Sequence, residues 1–123
     1  MVTVAVIDPK ARKHARSIER DAALLLKLLG REESAVEISL VGNAELPKNV
    51  LAFPALADFP RPDLTLPDLG EIYLNPAYIE AHGEDLRFML VHGMLHLLGY
   101  DHIKKSDRIS MEKKERELLK KLL

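Results

Sequence analysis

The sequence predicts an α+β fold: one domain, a small mixed four-stranded sheet packed with helices, and a metal site on a buried central helix. Three observations predict it. Short β-branched stretches and longer helix-periodic ones follow one another in the order β-α-β-β-β-α-α, which suits a mixed sheet with helices packed on it. The stretch from Leu86 to Leu98 is apolar almost all the way round a helical wheel, the mark of a helix enclosed by the rest of the fold. That same stretch carries His92 and His96, and His102 follows Gly99 in "VHGMLHLLGYDH" (91–102).

In chain order, "VTVAVID" (2–8) alternates and is β-branched, so it reads as a strand. Pro9 then stands where a first helical turn accepts a residue without an N–H. Ala11, Ala15, Ile18, Ala22, Leu25 and Leu29 recur at helical spacing, and Gly30 closes that helix. "VEISLV" (36–41) is a second strand, with Val36, Ile38 and Leu40 on one face. "NVLAF" (49–53) is a third, and "EIYLN" (71–75), after Gly70, a fourth. Between them "PALADFPRPDLTLPDLG" (54–70) has four prolines and no helical period; loops of that length in small domains often border a site. A short segment after Pro76 leads to a helix from about Gly83 to Leu98, and an amphipathic helix runs from Lys105 or Ser106 to the end. No repeat or linker divides the chain, so residues 1–123 are expected to form one domain.

Hydrophobic content of 47% and charged content of 30% belong to a soluble globular protein rather than a disordered chain. With no cysteine, any metal must be held by His, Asp or Glu. No run approaches the roughly 20 apolar residues of a membrane span. The first residues lack a signal peptide's basic-then-apolar pattern, so a cytoplasmic location is expected. The net charge of −1 is unevenly spread: residues 1–31 hold seven Lys/Arg against three acids, 32–103 three against twelve, and 104–123 eight against four. The expected meaning is solvated helix faces with pairs such as Glu112–Arg116 and Glu117–Lys121, because a nucleic-acid footprint usually leaves a domain plainly basic. The alternative is two basic helices guiding a polyanion towards a metal whose charge offsets the central carboxylates.

His92 and His96 lie four residues apart, so at 100° per residue they sit about 40° apart and one turn along. Their Cβ atoms should be about 5–6 Å apart, close enough for two imidazoles to converge on one ion. Were the helix to continue, His102 would lie about 9 Å further along the axis at 1.5 Å per residue. Gly99 can adopt the left-handed conformation that ends a helix, folding the chain back and returning His102 to the pair. A buried imidazole without a partner costs about 1–3 kcal/mol, so three in an apolar run predict a metal site. Nitrogen ligands suit Zn²⁺ best, with Ni²⁺, Cu²⁺ and Fe²⁺ as alternatives. Three protein ligands leave one position for water, the pattern of catalytic zinc, which lowers that water's pKa to about 7. Asp101 is expected to orient a ligand, with direct ligation as the alternative, and Asp85 to cap the helix start. His14 and His82 read as surface residues.

The spacing H-x3-H-x2-G-x2-H also occurs in metzincin metalloproteases, but those carry a glutamate base directly after the first histidine, where this chain has Gly93. The nearer resemblance is to the YbeY family of bacterial rRNA-maturation endoribonucleases. "VHGMLHLLGYDH" resembles that family's signature nearly residue for residue. "NVLAFP" (49–54) resembles its Val-Leu-Ser-Phe-Pro strand, with Ala52 where serine is usual. "LGEIYLN" (69–75) resembles its Leu-Gly-Asp-Ile segment, and "DHIKKSDRISME" (101–112) its C-terminal end. The resemblance implies a zinc-dependent, single-strand-preferring endoribonuclease acting in 16S rRNA 3′-end maturation and ribosome quality control. It implies one Zn²⁺ on His92, His96 and His102, single-stranded rRNA as substrate, the small ribosomal subunit as partner, and no DNA or membrane.

One departure stands out. The family has a longer stretch between its second and third strands, with an Asn…Tyr-Arg segment whose arginine the resemblance implies in catalysis. Here that interval is "VGNAELPK" (41–48), without arginine or tyrosine. Lys48 supplies charge there but not the bidentate fork that grips a phosphate. Either Lys48 or a residue such as Arg61 from the long loop stands in, or activity is reduced. Two other readings stay open: a ribosome-associated RNA-binding factor with a structural metal and little activity, and a metzincin-like metallopeptidase using a base other than Glu.

Overall fold

Period-two alternation lines up aliphatic side chains in rows across four strands. In the computed structural model, which describes residues 1–56, 62, 66–101 and 103–123, β1 (Val2–Val6), β2 (Ala35–Leu40), β3 (Val50–Pro54) and β4 (Asp68–Leu74) form one sheet in the order β1-β2-β4-β3. β1 and β2 run parallel, as do β2 and β4, while β3 closes the edge antiparallel to β4. Register places Val4, Ile38, Ile72 and Ala52 in one row and Val6, Leu40, Leu74 and Val50 in the next. Those rows face the helices, and Ile38, Leu40, Ile72 and Leu74 are fully buried. The other face carries Thr3, Glu37, Glu71 and Phe53 in register, as alternation requires. On it the Tyr73 phenol is pushed above its ordinary pKa, first by burial and then by the Glu71 carboxylate that accepts its hydrogen bond at 3.3 Å.

A single 3₁₀ segment, Pro9–His14, precedes α1 (Ala15–Leu28) and is capped by Asp8, whose Oδ1 accepts from the Lys10 amide. α1 buries Ile18, Ala22, Leu25 and Leu26. Three more helices follow: α2 (Pro76–Ala81), α3 (Leu86–Leu97) and α4 (Lys105–Leu122). α3 packs against β3 and β4 on one side and against α1 and α4 on others. It buries Met89, Leu90, Val91, Met94, Leu95 and Leu97, so the helix that is apolar all round is indeed the central one. Among the described residues, no helix is long and apolar enough to cross a membrane.

Several boundaries differ from the sequence expectation. The first helix opens as 3₁₀ because the Ala11 amide bonds back three residues to the Asp8 carbonyl. The central helix begins at Leu86, not near Gly83, with Asp85 as the expected cap: its Oδ1 accepts from the Arg87 amide at 3.2 Å. Gly83 instead ends α2, at φ +67°, because Asn75 and Pro76 together start a separate short helix. β4 begins at Asp68, before Gly70. Glu112–Arg116 and Glu117–Lys121 do not close; among the described residues the ion pairs are Arg20–Asp21, Arg87–Asp21 and His92–Glu115. Exposed pairs on a helix face are worth only tenths of a kcal/mol, which does not hold long side chains in place. Residues 57–61 and 63–65 of the proline-rich loop, Arg61 among them, lie outside the described residues, and so does His102.

A candidate metal centre between α3 and β3

Helical spacing alone puts His92 and His96 on one sector of α3, but packing decides where that sector points. Gly93 seats α3 close to the sheet: a Cβ added there would come within 3.1 Å of an Ile72 methyl and 3.3 Å of a Val50 methyl. With α3 so placed, His92 and His96 look into a cleft of about 440 Å³ whose opposite wall is edge strand β3. Val50, Leu51 and Ala52 line it from the strand, and Phe88 and Met89 from the helix.

The two imidazoles converge. His96 Nε2 lies 3.1 Å from His92 Nε2, with ring centroids 4.6 Å apart and planes at 77°. Behind His92, Nδ1 is 2.9 Å from Oε2 of Glu115 on α4. A carboxylate only accepts, so Nδ1 carries the hydrogen of that contact, and Nε2 on the far side of the ring faces the cleft. Phe88 flanks the ring, at 6.2 Å between centroids. Two bare lone pairs at 3.1 Å repel, so that separation calls for either a hydrogen between them or a shared cation. Two nitrogens each about 2.0–2.1 Å from a tetrahedral zinc stand about 3.3 Å apart. His92 and His96 therefore fit one ion. Nitrogen donors backed by a carboxylate are also the usual surroundings of zinc-binding imidazoles.

Of the other predicted residues, Lys48 does line the cleft, on the segment leading into β3. That segment is held from below by Asn75, which is fully buried. Its Nδ2 donates to Asn43 Oδ1 at 2.8 Å and to the Leu46 carbonyl at 2.7 Å, while its Oδ1 caps α2. Asp101 lies beyond the end of α3, on a smaller cavity of about 290 Å³ with Tyr100 and Asp107. Its Oδ1 accepts from the Ile103 amide at 3.1 Å. Gly99 has the predicted left-handed conformation, φ +94°, and the Tyr100 amide bonds back to the Leu95 carbonyl to end α3. His14 and His82 lie away from the cleft; His82 stacks on Tyr78 at 3.8 Å.

Glu115 is the residue behind the imidazole pair that sequence reasoning missed. Its signal was present. Met111, Glu115, Leu118 and Leu122 follow one helical stripe, and all four are buried, so a carboxylate occupies a core position. No described residue lining the cleft carries a carboxylate, and Gly93 stands where a metzincin glutamate would be.

Comparison with known proteins gives a consistent result. Residues 41–123 match the family model described as Endoribonuclease YbeY. A Neorickettsia sennetsu protein named Endoribonuclease YbeY is 31% identical over 146 aligned positions, covering 99% of this chain and 97% of that protein. The chain has 123 residues, so at least 23 of those positions have no counterpart here. A Pseudomonas putida protein of the same name is 34% identical, covering 87% of this chain and 72% of its own length. A Thermotoga maritima protein solved in solution shares the fold, with a TM-score of 0.60 and 21% identity over 99% of this chain and 89% of that one.

Proposed function

This chain belongs to the YbeY endoribonuclease family, and from that premise we propose that it cleaves single-stranded RNA using one zinc ion held by His92, His96 and His102. The observation that carries the proposal is the pair of Nε2 atoms, 3.1 Å apart in an open cleft with a lysine on its rim. When bound, zinc supplies Lewis acidity towards a phosphoryl oxygen and activation of water. The chain's own residues do the rest. His92 and His96 orient their nitrogens, Glu115 holds the hydrogen on His92 Nδ1, and the Lys48 ammonium attracts a phosphate to the β3 wall. Val50 and Ala52 from β3, with Phe88 and Met89 from α3, give the cleft an apolar lining against which bases can lie. The biological setting we propose is maturation of rRNA 3′ ends and ribosome quality control in the cytoplasm, with the small ribosomal subunit as partner and neither DNA nor membrane involved.

A second reading has one observation in its favour: the 41–48 interval holds a lysine and no arginine, which suits an RNA-binding factor whose metal is structural. The metallopeptidase reading has no base among the described residues that line the cleft. Bound metal, cleavage of single-stranded rRNA fragments and cleavage of a denatured protein, measured on the parent and on His96→Ala, separate the three. RNA cleavage by the zinc-loaded parent, lost together with the zinc in the variant, is the expected result. Stable zinc without cleavage favours the binding factor, and peptide hydrolysis the peptidase.

A further inference from the structure

Glu115 occupies a place where a leucine would fit. Its neighbours on the stripe, Met111, Leu118 and Leu122, are apolar and buried, and Glu115 itself is only 4% exposed. Taking a carboxylate out of water is costly unless its oxygens are well partnered. Among the described residues its hydrogen-bond partner is His92, at 2.9 Å. That contact lies on the side of the imidazole away from the cleft, while Nε2 on the other side faces His96.

We propose that Glu115 is the positioning residue of this centre: it fixes His92 in the tautomer whose Nε2 lone pair faces the cleft, and through that tautomer it sets the affinity for zinc. Which ring nitrogen of a histidine carries the hydrogen is set by the bond that the other one makes. A free imidazole prefers the hydrogen on Nε2, which would block the nitrogen that has to ligate. The buried carboxylate reverses that preference before any metal arrives, and it also stops the ring from turning. Since Glu115 belongs to α4 and His92 to α3, the packing of the C-terminal helix becomes part of the metal centre. The inference rests on the zinc reading above, but its first readout needs no zinc.

The test compares the parent with Glu115→Leu and Glu115→Gln. In metal-free protein, ¹⁵N NMR of the histidine rings should show His92 with its hydrogen on Nδ1 in the parent and moved largely to Nε2 in Glu115→Leu. Zinc affinity, measured by competition with a chelator, should fall 10–100-fold in Glu115→Leu. Its urea midpoint should hold or rise, because leucine suits the stripe, and this separates positioning from a structural role. Glu115→Gln keeps an oxygen acceptor and should lose affinity only several-fold. An unchanged His92 tautomer, or zinc affinity within twofold of the parent in the leucine variant, overturns the proposal. If Glu115→Leu does not fold, zinc affinity in Glu115→Gln within twofold of the parent overturns it instead. A parent that binds no zinc sinks the metal reading, and the tautomer shift then still decides what Glu115 does to His92.

Discussion

At the scale of single residues, the cation on the cleft rim is where the proposed RNA contact is most directly tested. Lys48 is the only Lys or Arg among the described residues that line the cleft. It is not carried on a free loop, because the side chain of Asn75 grips Asn43 and the Leu46 carbonyl, and the Asn75 amide bonds to the Asn49 carbonyl at 3.0 Å. One charge-assisted contact to a phosphate is worth about 1.5 kcal/mol, roughly tenfold in affinity. Lys48→Ala is therefore expected to weaken single-stranded RNA binding about tenfold and to lower the log–log salt slope by about 0.7. Lys48→Arg should match or exceed the parent, since guanidinium adds the fork that lysine lacks. Fluorescence anisotropy at several salt concentrations checks both. An unchanged slope in Lys48→Ala would move the phosphate contact to another residue.

At the scale of elements, the geometry of the centre depends on where α3 sits. Gly93 sets its distance from β3 and β4, Glu115 links it to α4, and an ion pair links it to α1. In that pair, buried Asp21 accepts from Arg87 Nε at 2.9 Å across 66 positions of sequence. Removing one member of a buried pair strands the other, at a cost of 3–5 kcal/mol in dry surroundings. The Arg87 side chain keeps 29% of its exposure and water can reach it, so the cost here should be about 2 kcal/mol. Asp21→Ala should lower the unfolding free energy by that amount, which at an unchanged slope of about 2 kcal/mol/M moves the urea midpoint down by about 1 M. A midpoint within error of the parent would mean that apolar packing alone holds α1 to α3. Gly70 is a second element-scale constraint: at φ +129° any Cβ would overlap the Phe53 carbonyl, so the β3–β4 pairing that forms the far wall of the cleft requires glycine there.

At the scale of the whole molecule, a metal held by the folded state and not by the unfolded chain must add to stability. With free zinc at 100 times its Kd, the gain is about 2.7 kcal/mol. For a chain of 123 residues, with an unfolding entropy of about 2.1 cal/mol/K per residue, that corresponds to a rise in Tm of about 10 °C. Calorimetry with zinc and with excess chelator should show this difference, and His96→Ala should abolish it. Equal Tm values would argue against a zinc ion bound by the native fold. The basic ends of the chain belong to this scale as well. α4 carries exposed Lys and Arg while its buried stripe packs on the core, so its charge is available to solvent beside the helix that bears the histidines.

Much of this was legible before any coordinates. The four strands, the long first and last helices and the apolar central helix follow from periods of two and of 3.6, which bonded geometry imposes on neighbours in sequence. The convergence of His92 and His96 was legible for the same reason, because residues four apart on a helix must share a sector. Gly99 as the stop was also legible, since only its own φ was at issue. Where local signals competed, the boundaries moved, as at Asn75-Pro76, where a cap and a proline start a helix of their own. The sequence by itself thus determined the elements, the imidazole pair and the turn after it. Only the tertiary structure decided that β3 would form the sheet edge opposite α3, that Lys48 would stand on the rim, and that Glu115, 23 positions from His92, would hold its Nδ1. Those facts come from packing between residues distant in the chain, and packing depends on shape and burial in three dimensions, which no local period encodes.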